Sequence, residues 1–330
     1  MADPRSTAES LSTVRVGTRA SALALTQTGM VADALAAAGD LRTELVRITT
    51  DGDRLTGSLV ALGGTGVFVT ALREALLADR CDVAVHSLKD LPSAPAEGLV
   101  LGAVPQREDA RDALCARDGL TLAALPAGSR VGTGSPRRAA QLRAARPDLA
   151  ILDIRGNVDT RLRRVAPGDL DAVVLARAGL ARLGRLDAVT DLFDPATMAP
   201  APGQGALAVE VRASTLADPR SPLARALAAV DHLPSRLAVT AERALLARLE
   251  AGCAAPIGAH ARLAGGVLTL DAVVCRIDGS QDLRRSVAVD LPAADGVPAQ
   301  LAVAARLGSD VAEALLADGA ADLAELGASA

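Results

Sequence analysis

TVRVGTRASALALTQTGMVADALAAAG, residues 13–39, is the stretch on which the fold turns. Its opening alternates Val14 and Val16 with polar neighbours, the period of a strand. From Ser21 an alanine- and leucine-rich run reads as a helix, capped by that serine and ended at Gly39. A strand that passes through a Gly-Thr turn into a helix begins an α/β unit with largely parallel strands. ELVRIT (44–49) follows as a strand, GVFVTALREALLAD (66–79) as a helix and CDVAVHS (81–87) as a buried strand. After Pro105 a second series starts. RVGTGS (130–135) opens a helix at Pro136, ILDIRG (151–156) is a strand leading to an arginine-rich helix, and DAVVLARAG (171–179) is another strand.

The second series echoes the first. VGTRAS (16–21) and VGTGS (131–135) both place a strand, a Gly-Thr turn and a serine cap before a helix. CDVAVHS and LDAVVLA both run from strand into loop. Two α/β lobes of similar build, facing each other across a cleft, are the architecture this implies. PAPGQGALAVEV (200–211) reads as a crossover or hinge, and RLAVTAERALLARLEAG (236–252) as an amphipathic helix. GVLTLDAVVC and RRSVAVDL read as antiparallel strands before a final helix at about 299–317, a small α+β domain. The boundaries expected are 1–105 for the first lobe, completed by about 200–218, then 106–199 for the second and 219–330 for the third domain.

A chain of 330 residues, half of them apolar and 22% charged, is a globular protein of two or three domains. Phe68 and Phe193 are its only aromatics, which weakens any role built on base stacking. The net charge of −4 offers no overall attraction for polyanions. Between Arg130 and Arg164, however, nine arginines face Asp148, Asp153 and Asp159, a local balance of +6 inside an acidic protein. That segment is either a solvated helix face or a site for a small polyanion. Four cysteines without CxxC spacing argue against zinc and against a disulfide framework, and suit the cytoplasm. No apolar run reaches the length of a membrane span, and no secretory pattern opens the chain. No P-loop or GxGxxG is present.

Each VGT turn offers backbone N–H groups at a helix start, with Arg19 beside the first and Arg137 and Arg138 just inside the second. Arginine grips carboxylates with a planar fork. Several such forks at strand ends would suit a ligand with many carboxylates; Arg163 and Arg164 read instead as partners of nearby aspartates. In AVHSLKDLP (84–92), His86, Lys89 and Asp90 follow a strand, and Lys89 is the only lysine in the chain. Asp90 is either a general acid or cation stabiliser, or a helix cap beside a surface lysine. Cys253 lies in LEAGCAAPIG, in a glycine-flanked loop without a burying period, where a thiol can be a nucleophile or an attachment point.

RVGTRASALAL, GGTGVFV, DVAVHSLKDLP, REDARDAL, GTGSPRRAAQL, RGNVDTRL, LARAGLARLG, APGQGALA and AERALLARLEAGCAAPIG, in this order over residues 14 to about 260, resemble the porphobilinogen deaminase (hydroxymethylbilane synthase) family. The resemblance implies a tetrapyrrole-pathway transferase that joins four porphobilinogen molecules head to tail, releases ammonia and yields linear hydroxymethylbilane. It implies a covalent dipyrromethane cofactor, held by a thioether at Cys253, with Lys89, Ser87, Arg137, Arg138 and Asp90 around it. Asp90 matches the family's catalytic carboxylate, which assists departure of the amine, stabilises the cationic azafulvene and helps shed a proton after each bond forms. Arg19, Ser21, Arg155, Arg161, Arg182 and Gln204 match substrate-binding positions. Lys89 then supplies a compact charge beside Asp90. The family is typically monomeric, and no metal is implied. One departure stands out: family lysines at the positions of Ala61 and Thr65, in LGGTGVF, are missing here.

The fold class expected is α/β, with two similar periplasmic-binding-protein-like lobes around a cleft plus a small C-terminal α+β domain. The competing reading is a two-lobed anion-binding protein, which leaves Cys253 and the Lys89–Asp90 pair without a purpose.

Overall fold

A computed structural model of the chain describes residues 12–48, 66–250, 255–292 and 296–324. Its contacts divide the chain into two units: 1–86, 96–103 and 208–231 form the first, and 87–95, 104–207 and 232–330 the second.

The first unit is built on a sheet of five strands. In chain order these are β1 (Ser12–Thr18), β2 (Leu41–Arg47), β3 (Val83–Ser87) and β4 (Leu99–Ala103), joined by the last strand of the sheet, Leu207–Arg212, which comes from far downstream. Helix α1 (Ala22–Ala38) starts where expected: the Ser21 hydroxyl accepts a bond from the N–H of Ala24. Helix α2 (Gly66–Leu77) supplies Leu72, Ala75 and Leu76 to a core with Ile48, Cys81, Ala84 and Leu99.

The second unit holds a sheet made of β5 (Asp112–Ala116), β6 (Arg130–Gly132), β7 (Ala150–Leu152), β8 (Ala172–Ala176) and β9 (Asp191–Leu192). With the late strand named β10 (Leu207–Arg212), the two sheet orders are β2-β1-β3-β10-β4 and β7-β6-β8-β5-β9. They are one pattern used twice. β1 lies between β2 and β3 and parallel to both, as β6 lies between β7 and β8. Val16 pairs with Leu45 and Val83 in the register in which Val131 pairs with Ile151 and Ala172. The echo between the two VGT turns is therefore structural. β8 shows period-two burial on both faces. Ala172 and Val174 join Leu114 and Val131 on one side, while Val173 and Leu175 join Ala113 and Ile154 on the other.

Helix α3 (Pro136–Ala145) begins with proline at its first position and with Ser135 capping the N–H of Arg138. The expected strand 151–156 is shorter. It ends at Leu152 because the chain then turns in under Gly134, where a side chain would sit 2.5 Å from the Ile154 carbonyl. The arginine-rich helix α4 (Val158–Leu162) follows, and after β8 the chain enters α5 (Arg177–Arg182) rather than continuing as strand.

α6 (Pro222–Val230) packs on α1 and β4 in the first unit. The C-terminal part of the second unit comprises α7 (Leu233–Arg248), the antiparallel strands β11 (Ile257–Ala264), β12 (Val267–Cys275) and β13 (Asp282–Asp290), and α8 (Gly296–Ala317) with the short α9 (Ala320–Ala324). α7 and α8 bury Leu237, Leu245, Leu307, Val311 and Leu315 against Ile257, Leu268 and Leu270 of the sheet. Each such leucine contributes about 1.5–3 kcal/mol by leaving water.

Candidate active site

Leu88–Asp90 form a single 3-10 turn at the end of β3, and the Leu88 N–H donates to the Ala206 carbonyl. The turn therefore hangs on the PGQG segment 202–205. That segment is held from several sides. Arg107 Nε donates to the Gln204 carbonyl at 2.8 Å and Arg182 Nη2 to the Gly205 carbonyl at 2.6 Å. The Gly203 N–H donates to Glu242 Oε2 at 2.6 Å. Its glycines are required: Gly203 and Gly205 have φ of 75° and 85°, and a side chain on Gly205 would lie 2.4 Å from the Glu108 carbonyl.

Glu242, on α7, is wholly buried and pairs in bidentate fashion with Arg107, at 2.7 and 3.0 Å, while also accepting the Ala261 N–H at 2.7 Å. This buried ion pair ties the PGQG turn to α7 and β11.

The Gln204 side chain points into a second buried cluster. Its Nε2 donates to Asp112 Oδ1 at 2.8 Å and to the Ala110 carbonyl at 2.7 Å. Its Oε1 lies 3.4 Å from both Lys89 Nζ and Arg138 Nη2. Arg137 Nη1 donates to Asp112 Oδ2 at 2.7 Å and to the Ala199 carbonyl at 2.6 Å. Arg138 Nε reaches Asp112 Oδ1 at 3.0 Å, and its Nη1 the Val174 carbonyl at 3.0 Å. Burial would push the Asp112 carboxyl up, but Arg137 and Arg138 overcome it and hold the group below the usual carboxylate range. Burial pulls the Lys89 ammonium down to about 8, against Asp90 and Asp112, which favour its charge. Burial likewise lowers Arg161, helped by its cationic neighbours Arg138 and Arg155.

A cavity of about 80 Å³ opens beside this cluster, lined among others by Lys89, Ser135, Arg137, Arg243 and Ala255. Arg137 Nε is buried without a hydrogen-bond partner among the described residues.

The structure brings Lys89, Asp90, Arg137, Arg138, Arg161, Arg182 and Gln204 into one unit. Arg155 is largely exposed and paired with Asp153 at 3.2 Å, and Arg161 Nε bonds the Gly156 carbonyl at 2.8 Å. Arg164 pairs with Asp169 as expected, whereas Arg163 donates to the Thr160 hydroxyl instead of to a carboxylate. Ser87 ends β3; Arg19 and Ser21 stand at the start of α1 in the first unit, with Ser21 serving as its cap. His86 is a sheet residue whose Nε2 sits 3.2 Å from Glu210, itself paired with Arg73. Cys253 and the positions of Ala61 and Thr65 lie outside the described residues. Sequence reasoning passed over Asp112, Glu242 and Arg107. The available signal was a lone aspartate in the apolar strand DALCA, a placement that requires a partner.

Two buried arginines, with the half-buried Lys89 near them, gather round the buried Asp112 carboxylate beside a cavity, in an α/β protein whose charge arrangement suits a carboxylate-bearing ligand. Residues 14–217 match the model of the porphobilinogen deaminase dipyromethane cofactor binding domain, and residues 236–317 that of the porphobilinogen deaminase C-terminal domain. The chain belongs to the porphobilinogen deaminase family. It is 63% identical over 314 residues to the porphobilinogen deaminase of Leifsonia xyli subsp. xyli, covering 95% of this chain and 94% of that one. It is 58% identical to that of Cutibacterium acnes, covering 97% and 99%. Among solved structures, lipoprotein Tp32 from Treponema pallidum aligns with a TM-score of 0.41 and 14% identity, over 67% of this chain and 91% of that one.

Proposed function

We propose that the Lys89–Asp90 turn and the cavity beside it are the place where this chain carries out its family's reaction. Family membership makes it a transferase of porphyrin biosynthesis, a hydroxymethylbilane synthase that condenses four porphobilinogen molecules with loss of ammonia. Its cofactor is dipyrromethane. The donor set suits that group. Lys89, Arg137 and Arg138 outnumber Asp112 and Asp90, so carboxylates would complete the charge balance, and Arg137, which lines the cavity, has a buried Nε without a hydrogen-bond partner among the described residues. Ala255 lines the same cavity, two residues beyond Cys253, which fits an anchor at that thiol.

When bound, the dipyrromethane supplies the pyrrole carbon to which the first substrate unit is joined. Asp90 faces the positive charge that develops on the substrate as its amine departs as ammonia, and stabilises it as a fixed carboxylate. A carboxylate oxygen of Asp90 then accepts the proton that the coupled carbon must lose. Lys89, next to Asp90, holds a ligand carboxylate. Arg161, Arg182, Arg155, Arg19 and Ser21 are taken to bind carboxylates of the growing chain. The single observation that carries this reading is the surplus of cations over carboxylates in the cluster beside the cavity.

The test is the intact mass of the purified protein beside Cys253→Ser and Asp90→Asn variants. The expected result is an excess of two porphobilinogen-derived units in the wild type, none in Cys253→Ser, and turnover reduced by about 10²-fold or more in Asp90→Asn. Full turnover by Asp90→Asn would remove Asp90 from this role. The chain is further taken to act as a cytoplasmic monomer. Buried free thiols at Cys81, Cys115 and Cys275 support a reducing compartment, and sedimentation analysis checks the monomer. No helix among the described residues is long and apolar enough to cross a membrane.

A further inference from the structure

Asp112 carries no role in the reading above, yet the site converges on it. It is fully buried at the start of β5, and Arg137, Arg138 and Gln204 all donate to its two oxygens. The arginines also donate to the Ala199 and Val174 carbonyls, and Arg138 to Gln204 Oε1, so protein atoms orient their forks. Gln204 extends the cluster by turning its Nε2 to Asp112 and its Oε1 towards Lys89.

We propose that Asp112 is a positioning residue for the reaction: its carboxylate presets Arg137, Arg138 and Gln204 and, through Gln204, holds the Lys89 ammonium beside Asp90. The proposal rests on the Lys89–Asp90 turn being the site.

The charge arrangement gives the reason. Lys89 is surrounded by Asp90, Asp112, Arg137 and Arg138, and Arg243 lines the same cavity. Arginine does not give up its proton in proteins, whereas a buried lysine does. Loss of the Asp112 charge would therefore fall on Lys89, which would deprotonate, and on the two guanidinium groups, which would move apart. Ligand carboxylates would still be drawn to the arginines, so binding would survive better than turnover. A merely structural aspartate would lower stability and leave the charge of Lys89 and the turnover of folded molecules untouched.

The chain contains a single lysine, so ¹⁵N-lysine labelling gives one side-chain resonance, which reports Lys89 directly. The experiment compares the full-length wild type with Asp112→Asn and Asp112→Glu, each checked for cooperative unfolding. In wild type Lys89 should titrate near pH 8. In Asp112→Asn the titration should move down by about one unit or more. Its kcat should fall roughly 10–100-fold with KM raised no more than about threefold, and the basic limb of its pH–rate profile should move to lower pH. Asp112→Glu should restore the Lys89 titration but not kcat, because charge returns without geometry. If Asp112→Asn does not fold, the glutamate variant decides alone: wild-type kcat, or a displaced Lys89 titration, overturns the proposal. An unchanged Lys89 titration and kcat in folded Asp112→Asn also overturns it. Neither result bears on the site itself, which stands or falls with Asp90→Asn.

Discussion

Lys89 is chemically the most exposed choice in the site, because it is the cation there whose charge burial can remove. Its position at about 8 against an ordinary value of 10.5 has a consequence for stability. Below pH 8 the ammonium is charged in both the folded and the unfolded chain, and the cost of burying it is present in full. Between pH 8 and 10.5 the unfolded chain binds more protons than the folded one, so this group's contribution to stability rises with pH. Lys89→Met is therefore expected to stabilise the unliganded protein by about 1–3 kcal/mol at pH 7, with the gain fading towards pH 10.5. Denaturant unfolding of both proteins at the two pH values checks it. The sequence pointed to Lys89 through its uniqueness and to Asp90 through its neighbour. It concealed Asp112, because what matters there is pairing with residues 25, 26 and 92 positions away.

At the scale of the element, the PGQG turn lies between the Leu88–Asp90 turn and α7, bonded to the latter through Glu242. Breaking the Arg107–Glu242 pair leaves a buried guanidinium without its partner and frees two backbone N–H groups as well. Glu242→Ala should cost about 3–5 kcal/mol, measured by chemical denaturation. The double variant with Arg107→Leu should cost less than the sum of the two single changes. Elements with a clear period were legible before the structure: α1 with its Ser21 cap, α3 with Ser135 and Pro136, and the strands at β3 and β8. ILDIRG was less so, because its apolar residues continue past Leu152 while the backbone leaves the sheet to pass Gly134. Periodicity reports which side chains are buried; it does not report where the ladder of hydrogen bonds stops.

Across the whole molecule, the same five-strand order occurs twice, and the short VGT echo was its trace in the sequence. The cysteines separate on the same scale. Burial pushes Cys81 and Cys275 up to about 11 and Cys115 to about 12, so none of the three offers a thiolate near neutrality. With four cysteines in the chain, a thiol reagent at pH 7 should titrate one group in native protein that lacks its cofactor and none in loaded protein. Reaction of two or more would contradict that burial.

β10 and α6 belong to the first sheet's unit but are encoded after the second sheet. On the ribosome, the strand that must insert between β3 and β4 is not yet made when β4 emerges. At ordinary synthesis speeds the first sheet waits on the order of 5–20 s with an open slot, and in that interval all five strands of the second sheet are made before β10. Of the two five-stranded sheets, the one encoded first is thus the later to close, and until then it presents unpaired strand edges.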